Sequence, residues 1–213
     1  MSNVSSIRSV ARPSVARLAA RAGLAGVFSL APALAFAHTG HGDAAGFSHG
    51  FMHPIGGLDH VLAMVAVGIF AANLGGRALW AVPATFVALM AFGGFLGMTG
   101  LELPFVELGI ALSIVVLGGA VALGWKNWPL GAAMALVGFF AVFHGHAHGA
   151  EMPADASGFE YAAGFMLATA ALHIAGIGVG LGIGKVGAGA PRLTQALGAL
   201  VAVAGVGILS GVI

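Results

Sequence analysis

Two short stretches of this chain set histidines and carboxylates at spacings that could bring them onto one ion. In FHGHAHGAE, residues 143–151, a helix turning about 100° per residue would put His144, His148 and Glu151 within about 60° of one another and His146 on the far side. Imidazoles four residues apart, with a carboxylate three further on, can converge on a single divalent cation. HPIGGLDH, residues 53–60, offers a matching set. Pro54 suits the first turn of a helix, which places His53 at the cap, His60 under the same face and Asp59 about 100° away. On a helix starting at Pro54, Asp59 would lie roughly 7 Å inside an apolar segment, where a bare carboxylate is costly. There it would stay charged beside a bound cation, or accept a hydrogen bond from a ligating histidine and so fix its tautomer.

Further candidates stand outside these stretches. His173 sits about 18 Å beyond Tyr161 at ~1.5 Å per residue, in an uncharged run with Thr169 one turn away. It is either hydrogen-bonded to a neighbouring helix or a deeper relay for the same cation. Glu102 reads as a solvated loop charge, and Glu107 as either that or a second relay group. Near the N-terminus, cleavage after Ala37 would let the new α-amine, the His38 imidazole and His41 hold one ion together, as a capture site.

The elements that must position these groups are membrane helices. Hydrophobic residues make up 59% of the 213 and charged ones 7%, against roughly a quarter charged in soluble domains. Mean hydropathy is +1.02. The 36 glycines lie inside apolar runs, as in closely packed membrane helices. No basic patch suggests a nucleic-acid partner. Cysteine is absent, so any metal must be held by nitrogen and oxygen.

Arg8, Arg12, Arg17 and Arg21 precede an apolar stretch, residues 22–36, that ends in Ala35-Phe36-Ala37. This is the layout of a secretory signal peptide, residues 1–37, cleaved before His38. Residues 38–53 then read as a histidine-containing periplasmic tail and 54–213 as one transmembrane domain. Within that domain six apolar segments have near-spanning length: Pro54 to Leu74, Ala78 to Met98, Phe105 to Trp125, Pro129 to His148, Tyr161 to Gly184 and Leu193 to Ile213. Backbone polar groups in lipid require helices at these lengths, so the expected fold is an all-α membrane protein of six transmembrane helices. Gly93 with Gly97, Gly176 with Gly180 and Gly184, and Gly207 with Gly211 repeat at four residues and should mark close helix contacts.

With residue 38 outside, Arg77, Lys126, Lys185 and Arg192 all fall in inner loops, as the positive-inside rule requires. All seven acids fall on the outer side. The chain is therefore expected in the bacterial inner membrane with a periplasmic N-terminus, its acidic, histidine-rich face concentrating cations.

Together the two stretches resemble the motifs of the HupE/UreJ family of hydrogenase and urease accessory membrane proteins. HPIGGLDH fits that family's HPxxGxDH and FHGHAHGAE its FHGxAHGxE, in the same order, and the likeness extends over the mature chain. The resemblance implies a permease supplying nickel to nickel-enzyme assembly, with His53, Asp59, His60, His144, His148 and Glu151 as functional residues. It also implies the enzyme maturation machinery as partner and the metal as cargo, with no prosthetic group. Cobalt demands nearly the same ligands as nickel, so the resemblance does not choose between them. Two other readings stay open. A membrane metalloenzyme would be expected to carry a signature such as HExxH or GxSxG, and neither is present. A periplasm-facing metal sensor or buffer would need the outer cluster but not Asp59 or His173 further in. GLGIGKVG, residues 180–187, lacks the first glycine and the Ser or Thr of a phosphate-binding loop, so no nucleotide engine is legible.

Overall fold

Every regular element among the described residues, 44–152 and 157–212 of the computed structural model, is helical. The expected signal peptide, His38 and His41 lie outside the described residues. The helices are α1 Ala44–Gly56, α2 Leu58–Leu74, α3 Ala78–Met98, α4 Val106–Ala122, α5 Leu130–Ala150, α6 Gly158–Gly184 and α7 Ala190–Leu209. A short 3-10 turn, Gly187–Gly189, leads into α7. By length and apolarity α3, α5, α6 and α7 with its leading turn can each cross a membrane. The pair α1 and α2 passes as a fifth when taken together, and α4 is a shorter apolar helix. The chain is a multi-pass helical membrane protein.

The first apolar run does not form the single helix expected from Pro54. Instead α1 begins at Ala44 and carries Pro54 near its C-terminus, and α2 leaves it at an angle of 80°. The Gly56-Gly57 pair explains the break, because glycine is a poor helix former and Gly57 is extended at φ −93°, ψ 120°. What holds α1 in place is α6: a methyl on Gly50 would strike the Tyr161 carbonyl, and one on Gly164 the Phe47 carbonyl. His53 is thus a residue of α1 and not the cap of a spanning helix. Asp59 is in the first turn of α2, not 7 Å inside it.

Large apolar side chains point outward. Trp80, Phe92, Phe95, Phe139, Leu167, Ile174, Leu200 and Val203 are exposed, which costs nothing in hydrocarbon. Association therefore rests on close packing, and glycine supplies it. Gly93 and Gly97 of α3 meet the α5 backbone, while Gly145 and Gly149 of α5 meet that of α3. Gly68 and Gly176 do the same for α2 and α6, and Gly118 and Gly198 for α4 and α7. Among the described residues nothing lies near Gly184 or Gly211, and Gly211 lies beyond the end of α7, so the four-residue spacing marks no contact there. Between the paired helices the interior is filled by Met64, Phe70, Phe86, Ile114 and Leu117.

Candidate metal site

Gly57 offers α2 no side-chain cap, so the unpaired N–H groups and positive dipole end of its first turn favour a carboxylate there. Asp59 supplies it. Its side chain is 28% exposed, and Oδ1 accepts a hydrogen bond from His60 Nδ1 at 2.8 Å. With the proton on Nδ1, His60 Nε2 carries a lone pair, and His148 Nε2 lies 2.6 Å from it. The His148 Nε2 proton fills that gap. A cation taking its place would meet an imidazole already oriented by a carboxylate, an arrangement recurrent at metal sites.

His148, in the last turn of α5, stands between two other imidazoles, with ring centroids 4.4 Å from His60 and 4.7 Å from His53. Phe165 of α6 closes the remaining side at 4.2 Å. Glu151 caps α5 at its C-terminus, where the helix dipole disfavours a carboxylate by ~0.3–1 kcal/mol. It stands there against local preference, with Oε2 3.9 Å from His53 Nε2. One ligand atom from each of His53, His148 and Glu151 lies within 4.8 Å of the others. Ligand atoms about 2.1 Å from a divalent ion stand roughly 3 Å apart, so side-chain movements of about an ångström would bring these groups to bonding geometry.

His144 lies one turn deeper and is fully buried. Ser113 donates its hydroxyl proton to the Ile110 carbonyl at 2.6 Å, so it must accept from His144 Nε2 at 2.9 Å. That leaves the His144 Nδ1 lone pair unpartnered among the described residues. The His144 ring is 5.1 Å from His60, and it is not grouped with Glu151. A cavity of about 500 Å³ opens above the cluster, lined in part by His49, His53, Asp59, His60, Glu107, His148 and Glu151. Three carboxylates in one mouth give it a negative field that would draw cations.

Two other histidines sit elsewhere. His146 donates from Nε2 to the Leu101 carbonyl at 2.6 Å and ties the link between α3 and α4 to α5. His173 lies deeper, on α6, outside the group lining the cavity. Sequence reasoning missed Ser113, although it is the one hydroxyl in the apolar run of α4. It also missed Tyr161, the chain's single tyrosine, whose ring is 6.3 Å from His53 and whose hydroxyl is buried without a partner among the described residues.

Fold and site together define a multi-pass membrane bundle with imidazoles and carboxylates gathered at one end. The profile of the family described as HupE / UreJ protein matches residues 26–208, and the chain belongs to that family of hydrogenase and urease accessory membrane proteins. Protein HupE of Rhizobium leguminosarum bv. viciae is 48% identical over 182 residues, which is 84% of this chain and 92% of that protein. No solved structure matches.

Proposed function

We propose that the chain is a transporter that carries a divalent transition-metal ion, Ni²⁺ or Co²⁺, inward from the periplasm for hydrogenase or urease maturation. The observation that carries this reading is the meeting of His60 and His148 from two different helices, flanked by His53, Glu151 and the orienting Asp59. Neutral imidazole with carboxylate suits a borderline divalent ion, and the chain has no thiolate to favour a softer one. Family membership supports the same role. His144 continues the path inward, and Glu107 adds negative charge at the mouth.

In this reading the histidine end faces the periplasm of the bacterial inner membrane, the signal peptide is removed, and His38 and His41 form a capture site. The bent pair counts as one crossing, and α4 makes another at about 25 Å, giving six in all. The metal is cargo and the protein is not an enzyme. Drawing two charges through ~100 mV supplies about 4.6 kcal/mol, enough for inward movement without a nucleotide engine. The test is radioactive nickel uptake in cells lacking other importers, with cobalt and zinc as competitors. Saturable uptake that His148→Ala abolishes, with the variant still in the membrane, is expected. Uptake no greater than in cells without the chain would sink the reading.

A further inference from the structure

His173 has no role in the cluster at the mouth. It lies on α6 about 22 Å beyond Gly158 at ~1.5 Å per residue, and is 1% exposed. Neither of its ring nitrogens has a hydrogen-bond partner among the described residues. A neutral imidazole carries one donor and one acceptor, and leaving both unmet in an apolar interior is costly. Buried polar groups are kept in that state where something else engages them.

Its surroundings point to what that is. The Phe86 ring meets His173 edge-on at 5.1 Å and also stands 5.6 Å from His144. His144 is in turn 5.1 Å from His60, so a row of rings runs from the cavity to His173 with Phe86 as its one apolar member. One turn outward, the Thr169 hydroxyl donates to Met90 Sδ at 3.6 Å, and both residues are buried. Thr169 and His173 share a face of α6 and Phe86 and Met90 a face of α3, each pair four residues apart. Nitrogen, oxygen and sulfur donors therefore gather where α3 meets α6. Imidazole with a thioether and a hydroxyl suits a borderline divalent ion. Beyond Glu160, α6 has no carboxylate, so these neutral ligands would hold such an ion weakly. Weak holding is what an intermediate stop in a passage requires.

We propose that His173 is a second, interior binding position for the divalent cargo, with Thr169 and Met90 beside it, separated from the outer cluster by the Phe86 ring. This rests on the transport reading above. Because the chain has no cysteine, His173→Cys gives a variant with a single thiol. Cobalt(II) added to the purified full chain of this variant in lipid nanodiscs should give visible ligand-field bands from the outer cluster. It should also give a near-ultraviolet thiolate-to-cobalt charge-transfer band, absent from the unsubstituted chain, from the interior position. Ligand-field bands without the charge-transfer band would overturn the interior position and leave the outer site standing. The absence of both would overturn the outer site and the interior one with it.

If the cysteine variant does not fold, the combined substitutions His53→Ala, His148→Ala and Glu151→Ala test the same point. Cobalt retained with imidazole ligation, read by X-ray absorption, and lost when His173→Gln is added supports the interior position; cobalt that stays after that addition, or no bound cobalt at all, overturns it. In His173→Gln the maximal uptake rate should fall about tenfold while outer-site affinity is unchanged. A rate equal to that of the unsubstituted chain would also overturn the proposal.

Discussion

The two ends of the helical bundle are opposites. At one, Asp59, Glu107 and Glu151 share a cavity with His49, His53, His60 and His148. At the other, Arg77, Lys126, Lys185 and Arg192 stand exposed, and the described residues there include no acid. A smaller cavity at that end is lined by Asn73, Lys126 and Thr194 among others, and its lining has a positive charge and no carboxylate or imidazole. In the proposed transport this asymmetry would separate capture from release. One end lowers the energy of an arriving cation, and the other gives it nothing to stay for.

The comparison breaks most completely at His148, the residue common to the His60 contact and the His53–Glu151 group. His148→Ala should cut nickel uptake at limiting metal by on the order of 100-fold, with membrane abundance on an immunoblot unchanged. Asp59→Asn comes next. An amide oxygen can still accept from His60 Nδ1, so the orientation survives while the charge is lost, and uptake should drop about tenfold. Normal uptake in Asp59→Asn would show that the carboxylate only orients.

Helix α5 carries a test within its own length. Gly149, at the histidine end, would press a methyl onto the Gly94 carbonyl, whereas Gly131, at the basic end, has open space. Gly149→Ala should destabilise the purified protein by about 1–3 kcal/mol in thermal unfolding. Gly131→Ala should leave the transition where it is or raise it slightly.

Acidity addresses the histidine end alone. Imidazole must be neutral to bind metal, and a histidine in water is half protonated near ~6.5. Lowering the outer medium from about pH 7.5 to 5.5 at constant membrane potential should therefore reduce uptake several-fold. A flat profile would show that the ligating imidazoles stay neutral across that range. The smallest effect belongs to the N-terminal pair. His38→Ala with His41→Ala should raise the apparent KM for nickel roughly twofold through lost local concentration, with the maximal rate unchanged.

How much of this was legible in the sequence depended on whether the signal was local. The uncharged runs of α3, α5 and α6 announce themselves, and the basic residues of the domain mark one end. The break at Gly57 did not, because Pro54 reads equally well as a helix start. Gly46 and Gly50 acquire meaning only against Glu160, Tyr161 and Gly164, far along the chain. The same holds at the site. Each motif shows its own histidines, yet nothing in either states that His60 and His148 meet, or that Ser113 of a third helix sets the His144 tautomer. The carboxylate partner of His60 was local and could be read. The depth of Asp59 could not, since it followed from a helix start that tertiary contacts moved.

The glycine contacts within the pairs α3–α5 and α2–α6 have a mechanical consequence. Where backbone lies directly on backbone there is no side chain to bend or repack, so each pair behaves as one stiff stave. His60 rides on one stave and His148 on the other. In the proposed function the cluster would act as a clasp: an ion held between those two imidazoles would fasten the staves together at that end, and its departure would loosen them there.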